Sequence, residues 1–415
     1  MPALRATSPR SRSLPRAVAF WVVGATVVAL LAASSAPSPL YPIYQQEFGF
    51  SSIELTTIFA VYVLALLISL LTVGRLSDHV GRRPVLAGAL TVQALAMVAF
   101  LVAGGTGWLL VARVVQGLAT GAAVGVLGAY LLDLQPPDGS RLGSLVNSVA
   151  PGIGLGIGAL GTGLLVQYAP HPTRLVFAIL LADVLVLILV TTILPETVRP
   201  VPGAVASLRP QVAVPGPARR AFAAATPSMV ATWALGGLVL SIGGSVIRSV
   251  FAESNSAVVG LVLGVFACTG ALTGVLVTSW TPAAIQRYGT VTLVLGTAVF
   301  ITALAVSSLP LFVIASVVAG SGFGAGFLGA LRSLTQLVQP HERAGLLSAV
   351  YVVSYLAFSI PALVAGLLIT RIGLRDTALY YGGFVALAAL TSLVISLLAT
   401  RPAAPAAAEL VSPAR

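Results

Sequence analysis

Charge is scarce in this sequence. Only 8% of its 415 residues are Asp, Glu, Lys or Arg, where a soluble domain carries about a quarter. That scarcity excludes a large soluble core, whose surface would need charged side chains. Lysine is absent, so all 22 basic residues are arginine. They sit in short connections and tails, so the net charge of +11 reflects membrane topology and no nucleic-acid partner. The single cysteine, Cys268, lies inside an apolar run. It can form no intrachain disulfide and supports no metal site by itself. There is no HExxH pattern, no Cys/His cluster and no close pair of intramembrane carboxylates. A polytopic membrane enzyme is therefore disfavoured, and no cofactor is implied.

Apolar sequence is abundant: 58% of residues are hydrophobic and the mean hydropathy is +1.03. A helix crossing a bilayer needs about 20 such residues. Runs of that length predict twelve spans, at 17–40, 52–74, 84–104, 107–132, 143–167, 173–194, 224–248, 256–280, 290–308, 310–336, 343–370 and 376–399. The first follows Arg5, Arg10, Arg12 and Arg16 and precedes "SSAPSP", much like a secretory signal peptide. With eleven spans behind it, we read it as an uncleaved first span.

The Pro-rich stretch 196–221 holds four Arg and no run of spanning length. It divides the chain six and six. The expected organisation is a tail (1–16), a six-helix bundle (17–195), a linker (196–221), a second six-helix bundle (222–399) and a Pro/Ala-rich disordered tail (400–415). Counting Arg by side decides the orientation. With the N-terminus inside, seventeen Arg fall in inside segments and four outside, namely Arg174, Arg248, Arg371 and Arg375. Both termini and the linker are then cytoplasmic, in a multi-pass protein of the cell membrane.

The halves resemble each other. Ala112, Val114, Val115, Gly117, Gly121, Ala122, Leu134 and Pro137 each find the same residue 203 positions later. This points to a duplicated six-span unit. Internal repeats around a midplane site are the architecture of secondary transporters.

One turn collects much of the charge: "GRLSDHVGRRPVL", residues 74–86. It resembles the signature between spans 2 and 3 of the major facilitator superfamily. Gly74, Leu76, Ser77, Asp78, Gly81, Arg82 and Arg83 match that pattern, and His79 stands where Lys or Arg is usual. "RVVQG" (113–117) is similar to the family's span-4 motif and "LPET" (194–197) to the end of its span 6. The Gly-rich "PGIGLGIGALGTG" of span 5 is similar to the antiporter motif of the drug-efflux branch, with Ile157 and Leu160 departing from it.

The resemblance implies an all-α fold of two pseudo-symmetric six-helix bundles around a cavity, working as a monomer by alternating access. It implies a gating latch of Gly74, Asp78, Gly81, Arg82, Arg83 and Asp133. Asp78 would face the start of span 11, near 341–348, where free N–H groups carry positive partial charge. Arg82 would reach Asp133. The bland alternative makes these Arg topology anchors only. In the second half, "TPAAIQRYGTV" replaces the Asp by Gln286, with Gly289 aligned to Gly81. A sugar porter would keep a basic-rich signature there.

Candidate substrate or coupling residues follow from chemistry. Arg113 lies at membrane depth, where a charge costs about 2.5–3.5 kcal/mol or more, so it either lines the cavity with Gln116 or snorkels to the surface. Asp183 lies mid-span in helix 6, as a proton site or a structural partner. Tyr351, Tyr355 and Phe358 share one face of span 11 at helical spacing, and Phe323 and Phe327 do so in span 10. Tyr41 and Tyr44 follow the prolines of span 1, and Trp233 lies in span 7. Such stripes pack cores or lipid as well as ligands. The expected function is proton-driven efflux of small amphipathic or apolar compounds. Uptake or uniport of a small metabolite is the alternative, and a non-transporting receptor is the alternative of another class.

Overall fold

A computed structural model describes residues 13–137 and 142–399. The N-terminal residues up to 12, residues 138–141 and the tail expected to be disordered (400–415) lie outside the described residues. The described chain is helical throughout, and twelve helical segments are long and apolar enough to cross a membrane.

The first bundle contains α1 (Arg16–Ser35), α2 (Pro37–Phe48), α3 (Ser52–Val73), the short α4 (Ser77–Val80), α5 (Arg82–Leu101), α6 (Thr106–Leu134), α7 (Leu142–Tyr168) and α8 (Pro172–Thr191). A four-residue helix, α9 (Ala204–Ser207), interrupts the connection. The second bundle contains α10 (Arg219–Ser241), α11 (Gly243–Val250), α12 (Ser256–Leu276), α13 (Pro282–Ala305), α14 (Leu309–Thr335), α15 (Arg343–Ile372) and α16 (Leu374–Ala399). We call the end carrying 74–81 and α9 the linker end, and the opposite end the far end.

Three spans differ from the sequence expectation; the seventh, expected over 224–248, begins already at Arg219 as α10 and is broken at Ile242, with α11 beyond. The first runs on to Phe48 as α1 and α2, so Tyr41 and Tyr44 are helical. Its residues Phe20, Val23, Val27 and Leu30 are buried in the bundle core. The ninth begins at Pro282, not at 290. Thr281 Oγ1 accepts from Ala284 N at 3.3 Å and proline occupies the first helical position, a strong start signal. Gln286, Arg287 and Gly289 therefore lie on a helix. Gly289 is no counterpart of the turn residue Gly81: it lets α13 approach α14, and a Cβ there would sit 2.3 Å from Gly326 N. The capping box of α3, in which Ser51 N donates to Glu54 Oε2 at 2.7 Å, accounts for exposed Glu54.

The repeat is visible in the packing. A Cβ on Gly117 would meet the Tyr62 carbonyl oxygen of α3 at 2.4 Å, and one on Gly121 that of Leu66 at 2.3 Å. In the second bundle Gly320 meets the Phe266 carbonyl of α12 at 2.4 Å and Gly324 that of Gly270 at 2.0 Å. The same pair of small residues seats the fourth span on the second in each half, as small-residue stripes do between membrane helices.

The bundles meet along two seams, α7 on α12 and α3 on α15. In the first, Gly163 faces Gly260 and Ser256, Gly156 faces Gly264 and Cys268, and Gly152 faces Ala271. In the second, Gly366 abuts Thr56, and Phe59 packs on Phe358 with ring centres 5.1 Å apart. Ser256 N donates to Gln167 Oε1 across the seam at 2.9 Å. These contacts run from the far end to mid-depth. At the linker end the connection itself bridges the halves: Val201 N donates to His79 O at 2.9 Å and Ala213 N to Gly345 O at 3.2 Å. The two seams thus hold the bundles together from the far end to mid-depth.

Candidate functional site: a charged turn and a basic–aromatic layer

The 74–83 turn is built by backbone need. Gly81 adopts φ of +113°, a conformation side chains resist, and a Cβ there would fall 2.8 Å from Glu196 Oε2. Gly74 closes on α6, against Gly125. Arg82 is the hub. Its NH1 donates to Asp78 Oδ1 at 2.5 Å and to Ser77 Oγ at 2.7 Å, and its Nε donates to Asp133 Oδ2 at 3.0 Å. Thr197 Oγ1 donates to the same Asp133 oxygen at 2.8 Å.

Glu196 accepts from the backbone N–H of Arg82 at 2.8 Å and of Arg83 at 3.0 Å. A carboxylate so placed caps the positive end of α5. The Arg83 guanidinium donates to the Thr192 carbonyl. The structure thus joins Asp78, Arg82 and Asp133, and adds Ser77, Glu196 and Thr197. Among the described residues no hydrogen bond or ion pair links Asp78 to 341–348. Gly345, in the first turn of α15, is met instead by Ala213.

The second group lies at mid-depth in the first bundle. Arg113 is 1% exposed, which rules out snorkelling. Its Nε donates to Tyr41 Oη at 2.9 Å, and its NH2 reaches the same oxygen. Its NH1 donates to Ser34 O at 3.0 Å and to Gln116 Oε1 at 2.7 Å, and Gln116 Nε2 donates to Ala33 O at 2.8 Å. The local sequence provides these acceptors. Pro37 has no N–H, so the Ala33 carbonyl has no partner four residues on, and the α1–α2 break at Ala36 exposes its neighbour. The guanidinium carbon lies 4.8 Å from the Tyr62 ring centre and 5.5 Å from that of Tyr41, within cation–π range. No carboxylate pairs with this buried cation among the described residues.

Across the seam, the aromatic stripes of α14 and α15 converge on Trp233 of α10. Its ring centre lies 5.8 Å from that of Phe323, 5.2 Å from Phe327, 5.2 Å from Tyr355 and 5.4 Å from Phe358. Tyr351 stacks on Tyr355 at 6.0 Å. Gly236 makes room, since a Cβ there would lie 2.9 Å from Phe323 and 3.1 Å from Phe358. In the box Trp233 Nε1 is buried without a hydrogen-bond partner, and so are Thr232 Oγ1 and Ser228 Oγ, which face Gly326 of α14, and Ser354 Oγ, next to Tyr355 in the chain. A helical hydroxyl can bond back to the preceding turn, as Thr226 does to Phe222 O at 2.9 Å on the same helix. Each unmet group costs about 1–3 kcal/mol, and such groups call for a partner, whether a water, an ion or a ligand.

Tyr44 and Asp183 stand apart from this layer. Tyr44 stacks on Phe48 at 5.5 Å and its Oη lies 3.5 Å from Thr173 O, near the far end. Asp183 sits half-buried on α8, with no ion pair among the described residues. Sequence reasoning passed over Tyr62 and Glu196. A mid-span tyrosine, whose hydroxyl seeks a partner, was a signal for the first. A carboxylate directly after a span was a signal for the second.

Two six-helix bundles with a buried basic–aromatic layer between them define a polytopic membrane protein of the MFS transporter type. The family model described as the Major Facilitator Superfamily matches residues 22–281, and the chain belongs to that family. An uncharacterized transporter of Rickettsia bellii is 35% identical over 141 residues, 33% of this chain and 34% of that protein. The MFS-type transporter paaT of Penicillium rubens is 28% identical over 156 residues, 38% of this chain and 28% of that protein. The matched stretch spans about a third of these curated relatives. Solved structures share the fold. The nucleoside transporter NupG superposes with a TM-score of 0.71 at 13% identity, over 92% of this chain and 100% of that one. A bacterial homologue of the human lysosomal transporter Spinster gives 0.70 at 16%, over 94% and 98%.

Proposed function

We infer that the protein is a secondary active transporter that expels small amphipathic or largely apolar compounds in exchange for protons. The observation that carries this reading is the box around Trp233. It offers aromatic faces, a buried indole N–H without a partner, and no acidic or basic side chain. Pockets of that composition favour apolar ligands held by a few polar anchors. Family membership and the fold of solved transporters support transport itself. Inter-bundle seams packed from the far end to mid-depth fit one limb of an alternating-access cycle. For the proton, Asp183 is the only carboxylate well inside a span, which makes it the candidate carrier.

The test is transport in cells and vesicles. Expression is expected to lower accumulation of a lipophilic dye, and a protonophore to abolish the effect. Asp183→Asn is expected to remove pH-driven exchange while ligand binding persists. Higher accumulation in expressing cells would make the protein an importer and overturn the efflux reading.

A further inference from the structure

Arg113 is a buried cation without a counter-ion. A guanidinium is not deprotonated in proteins, and this one is 1% exposed. Its nitrogens are met by Tyr41 Oη, Ser34 O and Gln116 Oε1. All three are neutral, so they solvate the charge without cancelling it. The described carboxylates lie at span ends or in connections, except Asp183 on α8, which stands apart from this layer. The layer therefore carries one net positive charge, in a region where salt screens little.

Two tyrosines connect that charge to the Trp233 box. The guanidinium carbon lies 4.8 Å from the Tyr62 ring centre. The Tyr62 phenol, on α3, is within electrostatic reach of the Tyr355 phenol on α15. Tyr355 packs on Trp233 with ring centres 5.2 Å apart. No ionised group of opposite sign stands along this line. Trp233 adds an independent observation. Its indole Nε1 can only donate, and it is buried without a partner. A ligand that satisfies it brings an acceptor.

We propose that the ligand of this box is an amphipathic organic anion. Its apolar body lies among the rings, its carboxylate or sulfonate accepts from Trp233 Nε1, and Arg113 selects against cations. This assignment rests on the box being the ligand site, as inferred above, and adds the charge of what enters it. Arg113 acts through its field and not by contact. Over about 10–15 Å, at an effective dielectric of about 20, one unit charge changes affinity about tenfold, in opposite directions for an anion and a cation. Ring faces attract cations. Here, however, Trp233 meets Phe327 and Phe358 edge to face, at 89° and 90°, which occupies faces that a cation would need.

Equilibrium binding to the full-length protein in nanodiscs of zwitterionic lipid tests it. The probes are three naphthalenes that carry a carboxylate, a carboxamide or a methylammonium at the same carbon. Wild type is expected to bind the carboxylate about tenfold or more tighter than the methylammonium. Gln116→Glu sets a carboxylate against the Arg113 NH1 that now donates to Gln116 Oε1 at 2.7 Å, and beside a guanidinium it stays ionised. That variant, or Arg113→Gln if the first folds poorly, is expected to bring the two ions within about threefold of each other. Equal or reversed affinities in wild type, or an unchanged ratio in the variant, would overturn the selection by charge while leaving the box as an apolar site. Binding of all three probes that persists in Trp233→Leu would overturn the box itself.

Discussion

Gly163→Ala should shift the conformational balance of this protein. Gly163 lies in the α7–α12 seam, where an added Cβ would sit 2.5 Å from Ser256 O and 2.8 Å from Gly260 Cα. The first distance is about 0.9 Å short of the 3.4 Å at which ordinary contact begins. Both obstacles are backbone, so no side chain can swing aside and the helices themselves must separate. Overpacking of this kind costs about 1–3 kcal/mol. In the proposed alternating-access cycle the seam is closed only while the far end is sealed, so the cost falls on that state alone. A differential of that size moves a two-state ratio by about 5- to 150-fold. The assay is maleimide labelling of Thr56→Cys, a buried far-end position against Gly366, in a Cys268→Ser background. Gly163→Ala should raise its labelling rate severalfold or more. Gly161→Ala is the control: it lies on the same helix, and a Cβ there meets nothing within 4 Å. Equal labelling in the two variants would refute the claim that this seam holds the far end shut.

Three further outcomes are expected. Asp78→Asn should cut transport sharply yet leave thermal stability and membrane insertion near wild type; its carboxylate is half-exposed, and such pairs add at most about 1 kcal/mol to the fold. Wild-type flux in that variant would remove the turn from the gating machinery. Trp233→Phe keeps an aromatic ring but deletes the unpartnered N–H; ligands with a hydrogen-bond acceptor should bind about tenfold more weakly while purely apolar dyes are unaffected, as read by equilibrium binding. Cysteine placed at Gly203, in the connection, should resist labelling in intact cells and react after permeabilisation; labelling from outside would invert the orientation drawn from arginine counts.

The spans were legible because each is an apolar run of bilayer length, and the repeat because its glycines fall in phase. The start of α13 was not read correctly, since Gln286, Arg287 and Tyr288 look like a polar turn, although Thr281–Pro282 carried the start signal. Within the charged turn, Asp78 and Arg82 are four residues apart and could be read from sequence. Glu196 caps the same helix from 114 residues away, a partnership that only the folded chain reveals. The aromatic stripes were visible helix by helix, but their convergence on Trp233 depends on how α10, α14 and α15 cross. Arg113 was conspicuous as a charge at depth. Its acceptors were not, because they arise from a proline-broken helix about eighty residues earlier in the sequence.

The two backbone bonds that pin the connection, at His79 and at Gly345, make it a leash of fixed length. Eleven residues lie between Val201 and Ala213, and those twelve steps reach at most about 43 Å when drawn straight, less the turn of α9. Both bonds come from main-chain N–H groups, so side chains along the leash can change freely while its length cannot. Proline at either anchor would release it. However far the bundles rock apart at that end, this leash sets the widest mouth they can form.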